Sequence, residues 1–154
     1  ADTFDVTEFS FTASTTFAVR EQFLEALRIN GRIAPTFGLA LKGDDRYLML
    51  SLKAAHRPPA DVSPRMKLDV SLLQQLVVSV LCPTQQEQEA IVYTKDDHEA
   101  LDWAGDGAGT AALLLNATKV SEVQAVATAG ERMPHKSTYF YPKPLTGLVI
   151  HVME

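Results

Sequence analysis

Cysteine is nearly absent from this sequence: Cys82 stands alone, so no disulfide can form within the chain. A reducing, cytoplasmic setting is the simplest expectation. Cys82 closes the apolar run Leu76-Val77-Val78-Ser79-Val80-Leu81 and reads as a buried structural thiol rather than a nucleophile. Nowhere do about 18 apolar residues follow one another, as a membrane-spanning helix requires, so no membrane partner is expected. The opening Ala1-Asp2-Thr3 lacks the basic stretch and apolar core of a signal peptide. Basic charge is also short, with 14 lysines and arginines against 19 acids and a net charge of -5. That balance argues against nucleic acid as a partner, because broad binding to phosphate backbones needs a basic face.

Several catalytic patterns are missing too. His56, His98, His135 and His151 lack metal-ligand spacing, and none lies beside Cys82 in sequence, so no metal site is expected. No pair of carboxylates has a spacing that demands general acid and base roles. Gly105-Asp106-Gly107-Ala108-Gly109 is rich in glycine but matches neither standard nucleotide pattern. It reads as a turn, and the sequence names no cofactor.

What is present is ordinary globular material: 154 residues, 46% apolar and 21% charged. Such a chain can bury a core as one domain. Thr3 to Phe11 reads as a strand. Thr15 or Thr16 caps a helix whose Val19, Phe23 and Leu27 share a face, and Asn30-Gly31 ends it. Ala34–Leu41 and Arg46–Leu52 form a hairpin about Lys42-Gly43-Asp44-Asp45. Residues 54–66, with Pro58, Pro59 and Pro64, read as a loop where two small lobes would join. Asp69 is placed as the cap of a helix buried through Leu72, Leu73, Leu76, Val77 and Val80.

A short strand is expected at Ala90–Tyr93. A helix then starts at Asp96 or Asp97, and a strand runs from Ala111 to Leu115. The next helix is capped by Thr118 and stopped by Gly130, and a last strand alternates through Leu148, Ile150 and Val152. This order predicts a layered α/β fold with a mixed sheet and about three to four helices. It fits a single domain over residues 1–154 or the C-terminal portion of a longer protein.

Chemistry concentrates in Arg132–Lys143. From Arg132 to Met153 the chain holds Arg132, Lys136 and Lys143 and no acid. Lys136 and Lys143 could neutralise an anion while Ser137, Thr138 and Tyr139 donate hydrogen bonds. The plain alternative is an amphipathic strand with solvated lysines. In that case Tyr139 and Tyr141 share one side, Phe140 anchors the other, and Pro134 and Pro142 bracket the segment.

The run Gly130-Glu131-Arg132-Met133-Pro134-His135-Lys136-Ser137-Thr138-Tyr139-Phe140-Tyr141-Pro142-Lys143, with Thr146-Gly147-Leu148-Val149-Ile150 after it, resembles the C-terminal signature of the domain of unknown function 1015 family. Leu68-Asp69-Val70-Ser71-Leu72-Leu73 and Leu113-Leu114-Leu115-Asn116-Ala117-Thr118 resemble two earlier stretches of that family. Ala117, where the family often has proline, and Pro144 after Lys143 depart from its pattern. Members are usually much longer and carry an upstream glycine–histidine–histidine–arginine run that this sequence lacks. The resemblance therefore implies a C-terminal portion whose upstream domain supplies part of any site. Members are sometimes labelled partition-protein-like, which implies either DNA binding or small-molecule phosphoryl transfer. The expected role is the C-terminal domain of a metabolic enzyme that helps bind an anionic or phosphorylated small molecule. The alternatives are a nucleic-acid-binding or regulatory module and a structural domain docking the upstream region. In the structural role, Pro134, Phe140, Tyr141, Pro142 and Gly147 matter most.

Overall fold

A computed structural model describes residues 2–106 and 109–139. Four strands form one sheet in the order β1-β3-β2-β4: β1 (Phe4–Ser10), β2 (Thr36–Leu41), β3 (Arg46–Leu52) and β4 (Ala111–Leu115). The α/β class expected from the sequence holds. All three ladders are antiparallel, with Gly38 opposite Met49 on one side and Leu114 on the other. The hairpin turns at Gly43, whose φ of 75° suits a residue without a Cβ.

Strand alternation sends side chains to two cores. On one face Ala40, Tyr47, Met49, Ala112 and Leu114 meet Phe23 and Leu27 of α1 (Thr16–Asn30) and Leu101 and Ala104 of α5 (Asp97–Asp106). On the other, Phe37 and Leu52 meet Leu72, Leu73, Val77 and Val78. The sheet is thus covered on both sides, as near-continuous apolar strands such as β3 require. Gly38 is the point of closest approach. A Cβ there would lie 2.7 Å from Cζ of Phe23, whose ring stacks on Tyr47 at 5.1 Å. Arg20 ties the first layer together: its guanidinium bonds Asp102 at 2.7 Å and also engages the Tyr47 side chain.

The second helical layer departs from expectation. It is built from α2 (Asp69–Leu73), a π-helical turn at Gln74–Val78 and α3 (Ser79–Leu81). Leu68 holds the cap position and Asp69 lies inside the first turn. The wider π turn puts an extra residue into the helical repeat and rotates the residues beyond it. Val78 therefore enters the core, while Val80, expected inside, is 72% exposed. Cys82 is half-buried against this cluster.

Residues 54–66 contain 3₁₀ turns at Ala54–His56 and, running just past the loop, Pro64–Lys67. Ala90–Tyr93 is not a strand. A capping box between Thr84 and Glu87 winds the preceding residues into α4 (Gln85–Glu89), and just beyond that helix Ile91 packs on the core. Asp96 caps α5 by accepting from the Glu99 N–H at 3.1 Å. Lys119, not Thr118, precedes α6 (Val120–Thr128), and the Thr118 hydroxyl donates to the Ser137 carbonyl instead. The expected strand at Leu148–Met153 lies outside the described residues. Among those described, no helix is long and apolar enough to cross a membrane.

Candidate functional site

The acid-free stretch begins where α6 ends. Gly130, at φ 71°, lets its own N–H reach Ala127 O and the Glu131 N–H reach Val126 O, at 3.0 and 3.1 Å. This pair of bonds is a Schellman stop, and it directs the chain away from the helix axis. Three contacts then fasten the departing segment. The Glu131 carboxylate accepts from the Arg65 N–H at 3.1 Å, and the Ser137 carbonyl accepts from the Thr118 hydroxyl at 2.8 Å. The Ser137 hydroxyl donates to Pro134 O at 2.7 Å, closing a turn through His135 and Lys136.

Lys136 occupies that turn with φ 54°, the left-handed region that side chains other than glycine and asparagine seldom adopt. Its exposed ammonium lies 4.6 Å from the centre of the Tyr93 ring. Tyr139 faces the same loop from further along the segment. Lys95 sits 4.8 Å from its ring centre and donates to its hydroxyl at 3.1 Å. That hydrogen bond, with the attraction of the phenol oxygen, holds the Lys95 ammonium above the ordinary lysine pKa.

The loop that carries Tyr93 and Lys95 is fixed at both ends. Ile91 packs into the second core, and the Thr94 hydroxyl accepts from the Asp96 N–H at 3.1 Å while donating to the Glu99 carboxylate. Two short segments distant in sequence thus exchange lysine–tyrosine contacts. Cation–π pairs of this exposed kind contribute about 0.5–1 kcal/mol each. They leave the ammonium N–H groups able to donate further.

The five expected anion-binding residues divide in this arrangement. Lys136 and Tyr139 join the lysine–tyrosine cluster. Ser137 is half-buried, and its hydroxyl hydrogen is committed to Pro134. Thr138 is exposed between them. Lys143 lies outside the described residues, as do Phe140, Tyr141, Pro142 and Gly147. Pro134 is half-buried and its carbonyl anchors the turn.

Tyr93 and Lys95 were not expected. In sequence they read as a strand end and the approach to a helix, and nothing local marks them as neighbours of a segment some forty residues away. His98 is half-buried on α5 with Nε2 3.5 Å from the Glu21 carboxylate.

A second polar grouping lies between α2 and α6. Asp69 is partly buried between α2 and the start of α6, where loss of water chiefly, and the like charge of Glu122, push its carboxyl up to about 6; Lys119 opposes this. Beside it a hollow of about 170 Å³ opens between the Pro64–Leu68 turn and Ser121, Glu122 and Ala125. Among the described residues, no group of three or more His, Cys, Asp or Glu side chains is placed to hold a metal. Comparison with known proteins found no matching family model, no matching curated protein and no matching solved structure. The family resemblance therefore rests on its sequence motifs alone.

Proposed function

We propose that the chain is the C-terminal portion of a cytoplasmic metabolic enzyme and that its Lys136–Lys143 segment helps bind an anionic or phosphorylated small molecule. The observation that carries this reading is Lys136 itself: an exposed cation held at a left-handed turn, opposite an aromatic ring rather than a carboxylate. Residues kept in sparsely populated backbone conformations cluster at ligand clamps and switches. The Tyr139 ring is open to solvent and Thr138 offers a hydroxyl, so the surroundings suit oxygen-rich anions. An upstream domain of the same protein would supply the reacting groups, which makes the described residues a binding element rather than a complete active site.

The test is a thermal-shift screen of the full-length protein against phosphorylated and carboxylated metabolites, repeated with Lys136→Gln/Lys143→Gln. A stabilising ligand whose effect disappears in the double variant supports the assignment. An absence of any stabilising anion, or effects that persist in the variant, refutes it. Salt-sensitive binding to DNA or RNA instead would favour the nucleic-acid module.

A structural role has its own supporting observation. Glu131, Ser137 and Tyr139 fasten the segment to three separate places in the chain. On that reading the segment closes the domain and presents its far end to the upstream region. Alanine at Ser137 would then lower stability while leaving metabolite binding intact.

A further inference from the structure

We propose that Lys95 is a second binding residue of this site and that the ligand group it holds jointly with Lys136 is a compact dianion, a phosphate monoester or a dicarboxylate. The proposal rests on the anion-binding reading above and adds to it a residue and a charge.

The argument starts from the reciprocity of the contacts. Tyr93 and Lys95 are two residues apart, a span of about 7 Å in extended chain. Lys136 and Tyr139 are three apart on the facing segment. Lys136 lies over Tyr93 and Lys95 over Tyr139, so each segment contributes one cation and one phenol to the same patch. Both cations are therefore brought to one surface by rings that hold them without neutralising them.

Several cations of this acid-rich chain take carboxylate partners. Arg20 pairs with Asp102, Arg28 with Glu25, and Arg46 with both Glu8 and Asp44. Among the described residues, neither Lys95 nor Lys136 has a carboxylate within ion-pair distance; Lys95 feels Asp96 only through space. An anion with two charges attracts both cations of such a patch, where a single charge is shared between them. Each ammonium carries three donors, of which Lys95 gives one to the Tyr139 hydroxyl. The remainder fit the several oxygens of a phosphate or of two carboxylates. The Tyr139 hydrogen bond favours the charged form of Lys95 and raises its pKa.

The test titrates the full-length protein at low salt with inorganic phosphate, succinate and acetate by calorimetry. Wild type, Lys95→Gln, Lys136→Gln and Lys95→Arg are compared, with circular dichroism confirming that each is folded. Phosphate or succinate should bind wild type at least tenfold more tightly than acetate. Either glutamine variant should lose about tenfold, and Lys95→Arg should remain within threefold of wild type. Preference for phosphate assigns the ester, and preference for succinate the dicarboxylate. Wild-type affinity in Lys95→Gln with loss in Lys136→Gln overturns the second cation and leaves the simpler reading standing. Equal binding of acetate overturns the dianion. No binding to wild type, or no loss in either variant, overturns both.

Discussion

Replacing Asp69 by asparagine removes a carboxyl that folding places at a disadvantage. Its pKa rises from 3.8 to about 6 because the folded chain takes it partly out of water and sets it near Glu122. For an acid raised in this way, the folded state holds a proton that the unfolded chain has already lost. The sign is then fixed. Below 3.8 both states are protonated and the group contributes nothing; between 3.8 and about 6 stability falls as pH rises; above about 6 the whole cost remains. The rise corresponds to roughly 3 kcal/mol at most, and solvent reaching a partly open carboxyl brings the expected figure nearer 1–2 kcal/mol. The favourable placing of a carboxylate in the first turn of α2 offsets about 0.3–1 kcal/mol of this. Urea unfolding of wild type and Asp69→Asn should therefore show the variant about 1 kcal/mol more stable at about pH 7.5 and the two equal at about pH 4. Carboxylates lowered by partners, such as Glu25 beside Arg28, slope the other way but are common to both proteins and cancel in the difference. A variant less stable than wild type at neutral pH, or a difference constant across the range, would refute the assignment of strain to Asp69.

Gly38→Ala should destabilise the fold by about 1–3 kcal/mol, because the new methyl meets the fully buried Phe23 ring and the Leu114 side chain; an unchanged melting temperature would show that this core can yield. Lys136→Gly should leave stability unchanged or raise it by up to about 1 kcal/mol, since a left-handed residue gives up its Cβ, while phosphate binding is lost. A clear loss of stability in that variant would mean that Lys136 is there to pack on Tyr93.

The legible part of the fold is the part governed by local rules. Arg46–Leu52 alternates between two faces, Lys42–Asp45 contains the glycine a tight reversal needs, and Phe23 and Leu27 return at helical spacing; each element formed where its pattern placed it. The misses share a cause. Leu72 to Val80 has apolar residues in excess of one helical face, so spacing alone could not choose between Val78 and Val80. The π turn, a matter of backbone hydrogen bonding, made that choice. Ala90–Tyr93 has strand-like composition, but composition does not show whether a ladder partner is within reach, and the edges of the sheet formed elsewhere. Thr118 has the chemistry of a helix cap, but the helix starts one residue later than that cap would place it, and the hydroxyl donates to Ser137, nineteen residues on.

The candidate site divides along the same line. A run without acids can be read directly from sequence, and it picked out Lys136 and Tyr139. What distinguishes a solvated basic strand from a binding surface is where those cations point, and that depends on a loop more than forty residues earlier. Ser137 shows the converse: its hydroxyl looked available for a ligand, yet the turn it closes is what sets Lys136 against Tyr93. Side chains that shape the segment and side chains that face outward alternate within four residues. A substitution scan across Pro134–Tyr139 should accordingly separate into stability effects at Pro134 and Ser137 and charge-dependent effects at Lys136, rather than grade smoothly along the chain.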